Sequence, residues 1–207
     1  SLNLCQNNQL ILTHTNAGVA SIKDKVRKVG VKTTFSVETI CGFAQKYVEA
    51  FITKELIPEQ DNPNYFPFVV STAVELFKRK AIQLVIKANH TGLFVDEYQD
   101  CTKSQHLLIT ILSEFLPTHI LGDPLQGIFD FNNEILVDFN SDLNNYKLTA
   151  ELSTAWRWAN SNKELGADLQ KMRQDLIEKN HIKISDYQSF EVNFHSELDL
   201  FDYKNDY

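Results

Sequence analysis

Short apolar runs alternate along the chain with longer segments in which apolar residues recur every three or four positions. Runs at 10–13, 33–37, 93–95, 119–121 and 146–148 predict buried strands. The segments 17–28, 40–55, 70–88 and 104–115 predict helices that each turn one face to a core. Such alternation predicts an α/β fold, a parallel sheet with helices on both faces. Asp61, Asn62, Pro63, Asn64 and Pro67 interrupt the pattern and predict a loop. Beyond Trp156 a long polar helix is expected to run to about Asn180, followed by strand candidates at 181–184 and 190–194.

Composition narrows this picture only a little. With 207 residues, 43% of them hydrophobic and 23% charged, the chain can bury one sizeable core, or one core and part of a second domain. No run approaches the roughly 18 apolar residues that span a bilayer, and the start is too polar for a secretory signal. The expectation is therefore a cytoplasmic protein with no membrane partner. Cys5, Cys41 and Cys101 lie far apart without metal-ligand spacing, which points to reduced thiols rather than zinc or disulfides. The net charge of −7 argues against a polyanionic partner until its distribution is considered. Residues 1–100 hold 11 Lys and Arg against 10 Asp and Glu, whereas residues 101–207 hold 9 against 17. The near-neutral first half leaves room for a local nucleic-acid track.

The strongest chemical signal is Leu93-Phe94-Val95-Asp96-Glu97-Tyr98-Gln99-Asp100, an apolar strand running into two adjacent acids. Ligands of open parallel sheets bind beyond the carboxyl ends of the strands, so these acids would face a site. In nucleotide hydrolysis one carboxylate holds Mg²⁺, usually through water, and its neighbour orients or deprotonates the attacking water. An Asp-Glu pair also opens turns and caps helices, an equal alternative for the pair taken alone. Some 25 residues on, a second apolar run ends in Gly122-Asp123-Pro124-Leu125-Gln126 and supplies the context for a site.

Taken together, these segments resemble the UvrD/Rep/PcrA helicases of superfamily 1, whose Walker B motif reads DExQD and whose third motif reads GDxxQ followed by an aromatic pair. The counterparts here are Asp96-Glu97-Tyr98-Gln99-Asp100, with Gln105 beyond it, and Gly122 to Gln126 followed by Gly127-Ile128-Phe129-Asp130-Phe131. Leu12-Thr13-His14-Thr15-Asn16-Ala17 is similar to motif Ia and Thr39-Ile40-Cys41-Gly42-Phe43 to motif Ib, with Cys41 where the family usually has histidine. Leu152-Ser153-Thr154-Ala155-Trp156-Arg157 resembles motif IV. The likeness spans roughly residues 10–165, in order.

The resemblance implies a RecA-like P-loop NTPase fold with ATP and Mg²⁺ as cofactors. Asp96 would be the metal ligand, Glu97 the catalytic base, Gln126 the γ-phosphate sensor and Arg157 the stabiliser of transition-state charge. It implies single-stranded DNA, or junctions of single strand and duplex, as partner. Thr13, His14, Thr15, Asn16 and Thr39 would lie along the strand and Phe129 and Phe131 would stack on bases, each stack contributing about 1–3 kcal/mol whatever the sequence. Residue by residue, blander roles stay open. Phe129 and Phe131 have the spacing of core residues on one strand face, His14 of a structural hydrogen bonder, and Arg157 of a surface arginine packed on Trp156 and Trp158.

No GxxxxGK[ST] phosphate loop occurs in the sequence; Gly30-Val31-Lys32-Thr33 has valine where the second glycine belongs. By resemblance the loop is expected immediately upstream of Ser1, and the later motifs of the second motor domain beyond Tyr207. The expected organisation is a first motor domain at 1–150 without its phosphate loop, a reduced inserted subdomain near 55–70, and the start of a second RecA-like domain at 151–207. The expected function is an ATP-dependent helicase or translocase motor; the alternative is a non-catalytic DNA-binding or regulatory module of the same ancestry.

Overall fold

The computed structural model describes residues 8–30, 34–127, 135–152 and 154–190. They divide into two compact units, Ser1–Tyr146 and Lys147–Tyr207. In the first, strands β1 (Gln9–Thr13), β2 (Phe35–Thr39), β3 (Gly92–Val95) and β4 (Thr118–Ile120) form one parallel sheet in the order β2-β1-β3-β4. Helix α1 (Asn16–Val29) links β1 to β2; α2 (Ile40–Phe51), α3 (Tyr65–Phe77) and α4 (Lys80–Asn89) link β2 to β3; α5 (Lys103–Ser113) links β3 to β4. A short helix α6 (Phe139–Asp142) closes the unit.

The sheet has two unlike faces because side chains alternate across each strand. Leu10 and Leu12 lie in register with Leu93 and Val95, and all four are buried in the core with Phe43, Phe77, Leu108 and Leu112 from the helices. On the opposite face, Ile11, Val37 and Phe94 share a register with His119, whose ring stacks on Phe94 at a centroid distance of 5.0 Å. Helix α1 packs along β1 and β2 and has no fully buried residue. Most apolar burial therefore sits under α2, α3 and α5.

The predicted parallel α/β sheet is present, with boundaries that shift for local reasons. Strand β2 lies at Phe35–Thr39 rather than 33–37, and Thr33 falls outside the described residues. The single helix expected over 70–88 is two, broken where Arg79 turns to extended backbone and the Gln83 amide donates to the Phe77 carbonyl at 3.0 Å. Pro67 lies inside α3, but in its first turn, where its missing N–H leaves no helical bond unmade. Residues 146–148 form no strand: Tyr146 ends a turn and 147–150 have no regular structure. The turns there and the exposed Leu148 give no neighbouring edge to pair with.

In the second unit, helix α7 (Lys163–Lys179) starts at the Asn162 cap and stops at Asn180, whose left-handed backbone closes the helix. It begins later than expected because 156–161 are a series of turns. The strand expected at 181–184 is also absent; the chain instead folds back on α7, leading into a 3₁₀ turn at Ile184–Asp186. Tyr187 is buried there, its hydroxyl donating to Asp175 at 2.8 Å with Lys171 over its ring. The candidate at 190–194 lies almost wholly outside the described residues. No helix among them is long and apolar enough to cross a membrane.

Two histidines tie the first unit to pH. Burial lowers the pKa of His90, with Glu38 opposing, and burial likewise lowers that of His106, with Asp142 opposing. His106 Nδ1 lies 2.7 Å from the Tyr98 hydroxyl. Both imidazoles bind a proton more readily in the unfolded chain, so stability is full above the unfolded value of about 6.5 and is lost as pH falls below it. Urea midpoints measured from pH 7.5 to 5.5 should fall, and His106→Gln should flatten the slope; an unchanged slope in that variant would remove His106 from the account.

Candidate functional site

The strand order decides where a site can lie. From β1 the chain crosses to β2 on one side, and from β3 to β4 on the other, so the loops after β1 and β3 diverge at adjacent strand ends. A crevice of this kind is the usual ligand position in an open parallel sheet. The ends are stitched together: the Asp96 N–H donates to the Leu12 carbonyl at 2.9 Å, Leu121 N–H to Val95 at 2.8 Å, and Tyr98 N–H to Leu121 at 3.0 Å.

At the end of β3, Asp96 is half-buried, and its carboxyl pKa is raised by burial and by Glu97, against a lowering influence from Lys25 of α1. Glu97 has left-handed backbone, φ 54 and ψ 45, in a non-glycine residue, a conformation that costs about 1–2 kcal/mol. Its carboxylate Oε2 accepts from the Gln99 side-chain amide at 2.7 Å. Gln99 is buried, and its Oε1 accepts from the Asp123 N–H at 2.9 Å. Asp123 in turn accepts from Leu125 N–H and from the Gln126 amide, at 3.0 and 2.9 Å. Glu97 and Gln126 thus belong to one chain of hydrogen bonds across two strand ends.

Asp100 Oδ1 is buried without a hydrogen-bond partner among the described residues, and the carboxyl pKa is raised by burial, offset by His14 and reinforced by Glu97. Three carboxylates thus converge where burial disfavours their charge, a donor set suited to a cation. Among the described residues no three His, Cys, Asp or Glu side chains are grouped to hold a metal unaided. That is compatible with Mg²⁺, which takes one or two carboxylates and completes its shell with water and phosphate oxygens.

The other predicted residues divide by location. His14 lies beside Asp100. Thr13 is buried and packs against Gly18, where an added Cβ would stand 2.7 Å from its hydroxyl oxygen. Thr15 caps α1 through Gly18 N–H at 3.0 Å and Thr39 caps α2 through Gly42 N–H at 2.9 Å. Asn16 is the first residue of α1. Phe129 and Phe131 lie outside the described residues. Arg157 is exposed in the turns of the second unit, its carbonyl accepting from Ser161. Gln105, read with the carboxylate motif, forms a capping box with Thr102 at the start of α5 and reaches Cys41 at 3.5 Å. Sequence reasoning assigned no role to Gln99 or Lys25; the spacing of Thr102 and Gln105 was itself a legible capping signal.

Residues 59–147 match the UvrD/REP helicase N-terminal domain. Gabija protein GajB of Bacillus cereus (strain VD045) is 31% identical over 94 residues, covering 40% of this chain and 19% of the relative. An ATP-dependent helicase/nuclease of Streptococcus uberis (strain ATCC BAA-854 / 0140J) is 26% identical over 113 residues, 54% of this chain and 9% of the relative. The chain is thus similar to superfamily 1 helicases over the region that holds the site, and its match covers less than a fifth of the length of each relative.

The packing around Gly122 yields a direct test. A Cβ there would meet Phe139 Cζ at 2.8 Å, Gln99 Oε1 at 2.9 Å and Tyr98 Cβ at 3.1 Å, whereas one at Gly127 would meet its nearest neighbour at 3.5 Å. Gly122→Ala is expected to destabilise the protein by about 1–3 kcal/mol, the usual cost of overpacking, in urea unfolding. Gly127→Ala should change little. Equal effects would contradict the close approach.

Proposed function

We propose that this chain is the ATP-hydrolysing part of a DNA helicase or translocase motor, acting on single-stranded DNA or at junctions of single strand and duplex. The observation that carries the reading is the linked pair of strand ends, with Asp96 and Glu97 on one and Gln126 on the other, joined through Gln99 and Asp123. Asp96 would hold Mg²⁺ through water, the ion supplying charge neutralisation for ATP phosphates. Glu97 takes the proton of the attacking water on the carboxylate oxygen that Gln99 leaves free. Gln126, a neutral amide, senses the terminal phosphate without competing for the cation. Arg157 would reach the same phosphate from a second RecA-like domain beginning in the second unit, where its fork of donors suits phosphate oxygens.

The DNA track runs along the carboxyl ends of β1 and β2, where His14, Thr15, Asn16 and Thr39 stand at the first turns of α1 and α2. Because Thr15 and Thr39 use their hydroxyls for capping, the free first-turn N–H groups rather than these hydroxyls face the phosphates. Phe129 and Phe131 would supply the stacking. The phosphate cradle that ATP needs is not in these 207 residues, so the test uses the protein as its natural gene encodes it. ATP hydrolysis should rise with added single-stranded DNA, and Glu97→Gln should lower it by about 10²–10⁴-fold, the usual contribution of a general base. Strand binding without hydrolysis in the unaltered protein would favour a non-catalytic DNA-binding or regulatory module instead.

A further inference from the structure

We propose that Gln99 is a positioning residue that ties the water-activating carboxylate of Glu97 to the turn carrying Gln126, so that the two loops change position together. This rests on the helicase reading. The buried side chain bridges two groups of opposite demand: the Asp123 N–H can only donate and an ionised Glu97 carboxylate can only accept. These partners leave one amide orientation, Oε1 toward Asp123 and Nε2 toward Glu97. Glutamate at this position would set a second carboxylate against Glu97, asparagine would be one methylene short, and methionine would fill the volume with neither bond.

Two features make the bridge a positioning device rather than a filler of space. Glu97 is held in left-handed backbone, so its carboxylate direction depends on what restrains it, and Gln99 binds one oxygen and leaves the other. On the far side, Gln99 grips the backbone of Asp123, whose own carboxylate holds Gln126. A shift of Gln126 toward or away from a phosphate therefore pulls on Asp123, then on Gln99, then on Glu97. Gly122 lets the two loops approach this closely, since a Cβ there would stand 2.9 Å from the Gln99 oxygen.

The test has two arms. The first is a thermal-unfolding cycle of Glu97→Gln, Gln99→Glu and the double variant, which needs no assumption about activity. Gln99→Glu alone should lower the midpoint, and the double variant, which restores a donor–acceptor pair with the partners exchanged, should recover at least half of that loss. Additive effects would overturn the bridge. The second arm measures DNA-stimulated ATP hydrolysis in the natural-length protein. Gln99→Met is expected to lower kcat about 10- to 100-fold while KM for ATP and affinity for single-stranded DNA change less than about twofold, the signature of an interaction that matters only as the reaction proceeds. An unchanged kcat, or a loss matched by weaker binding of ATP and DNA, would overturn the positioning role. If the unaltered protein shows no DNA-stimulated hydrolysis, the helicase reading fails and the catalytic role with it, while the unfolding cycle still reports separately on the bridge.

Discussion

The pairing of β1 with β3 is the constraint on which the rest depends. Two strands distant in sequence lie side by side and parallel, and the chain leaves their carboxyl ends in opposite directions. That divergence opens the only kind of place in such a sheet where loops part without a helix covering the gap. The hydrogen bond from Asp96 to Leu12 sets the depth at which the β3 acids emerge beside His14. Were β3 shifted by one residue against β1, Leu93 and Val95 would leave the core and the acids would turn to the other face. The apolar register and the position of the chemistry are therefore one fact.

Stability and site make opposite demands here, and the fold separates them in space. The strand ends gather a left-handed glutamate, two carboxyls with raised pKa and a buried carboxylate oxygen without a hydrogen bond. Each is unfavourable in the protein by itself. The offsetting burial lies on the face under α2, α3 and α5, where Phe43, Phe77, Leu108 and Leu112 close on the inner residues of β1 and β3. The α1 side is thinly covered, and Phe94 and His119 remain only partly enclosed there. Concentrating the core on one side leaves the strand ends free to carry strain that a bound cation and phosphate would relieve.

Most of the first unit was legible because its strands are short continuous apolar runs and its helices keep their period. The failures have physical causes. The break between α3 and α4 shows in the sequence as a step of five from Phe77 to Ile82, where a continuous helix would place its next core residue at three or four, and the Lys78-Arg79-Lys80 run fills the gap. The runs at 146–148 and 181–184 have apolar content without a neighbouring strand edge, and only tertiary structure supplies an edge. Asp96 and Glu97 stood out as charges at the end of an apolar run. Gln99 did not, because a neutral amide in a polar motif carries no signal until its two partners, one of them 24 residues away, are known.

Thr15, Thr39 and Thr102 show how one residue type serves two descriptions. Each follows or closely follows a strand and starts a helix, and each hydroxyl closes the first turn. A threonine at such a position is explained by capping alone, so its presence in a motif says little about contact with a ligand. The consequence for strand binding is specific. A capping hydroxyl accepts from one first-turn N–H and leaves others pointing outward beside the positive end of the helix dipole. Two such ends, at α1 and α2, stand at the carboxyl ends of adjacent strands β1 and β2. A chain of net charge −7 can in this way offer a phosphate backbone a favourable line of contacts made of backbone dipoles, which a tally of lysines and arginines does not register.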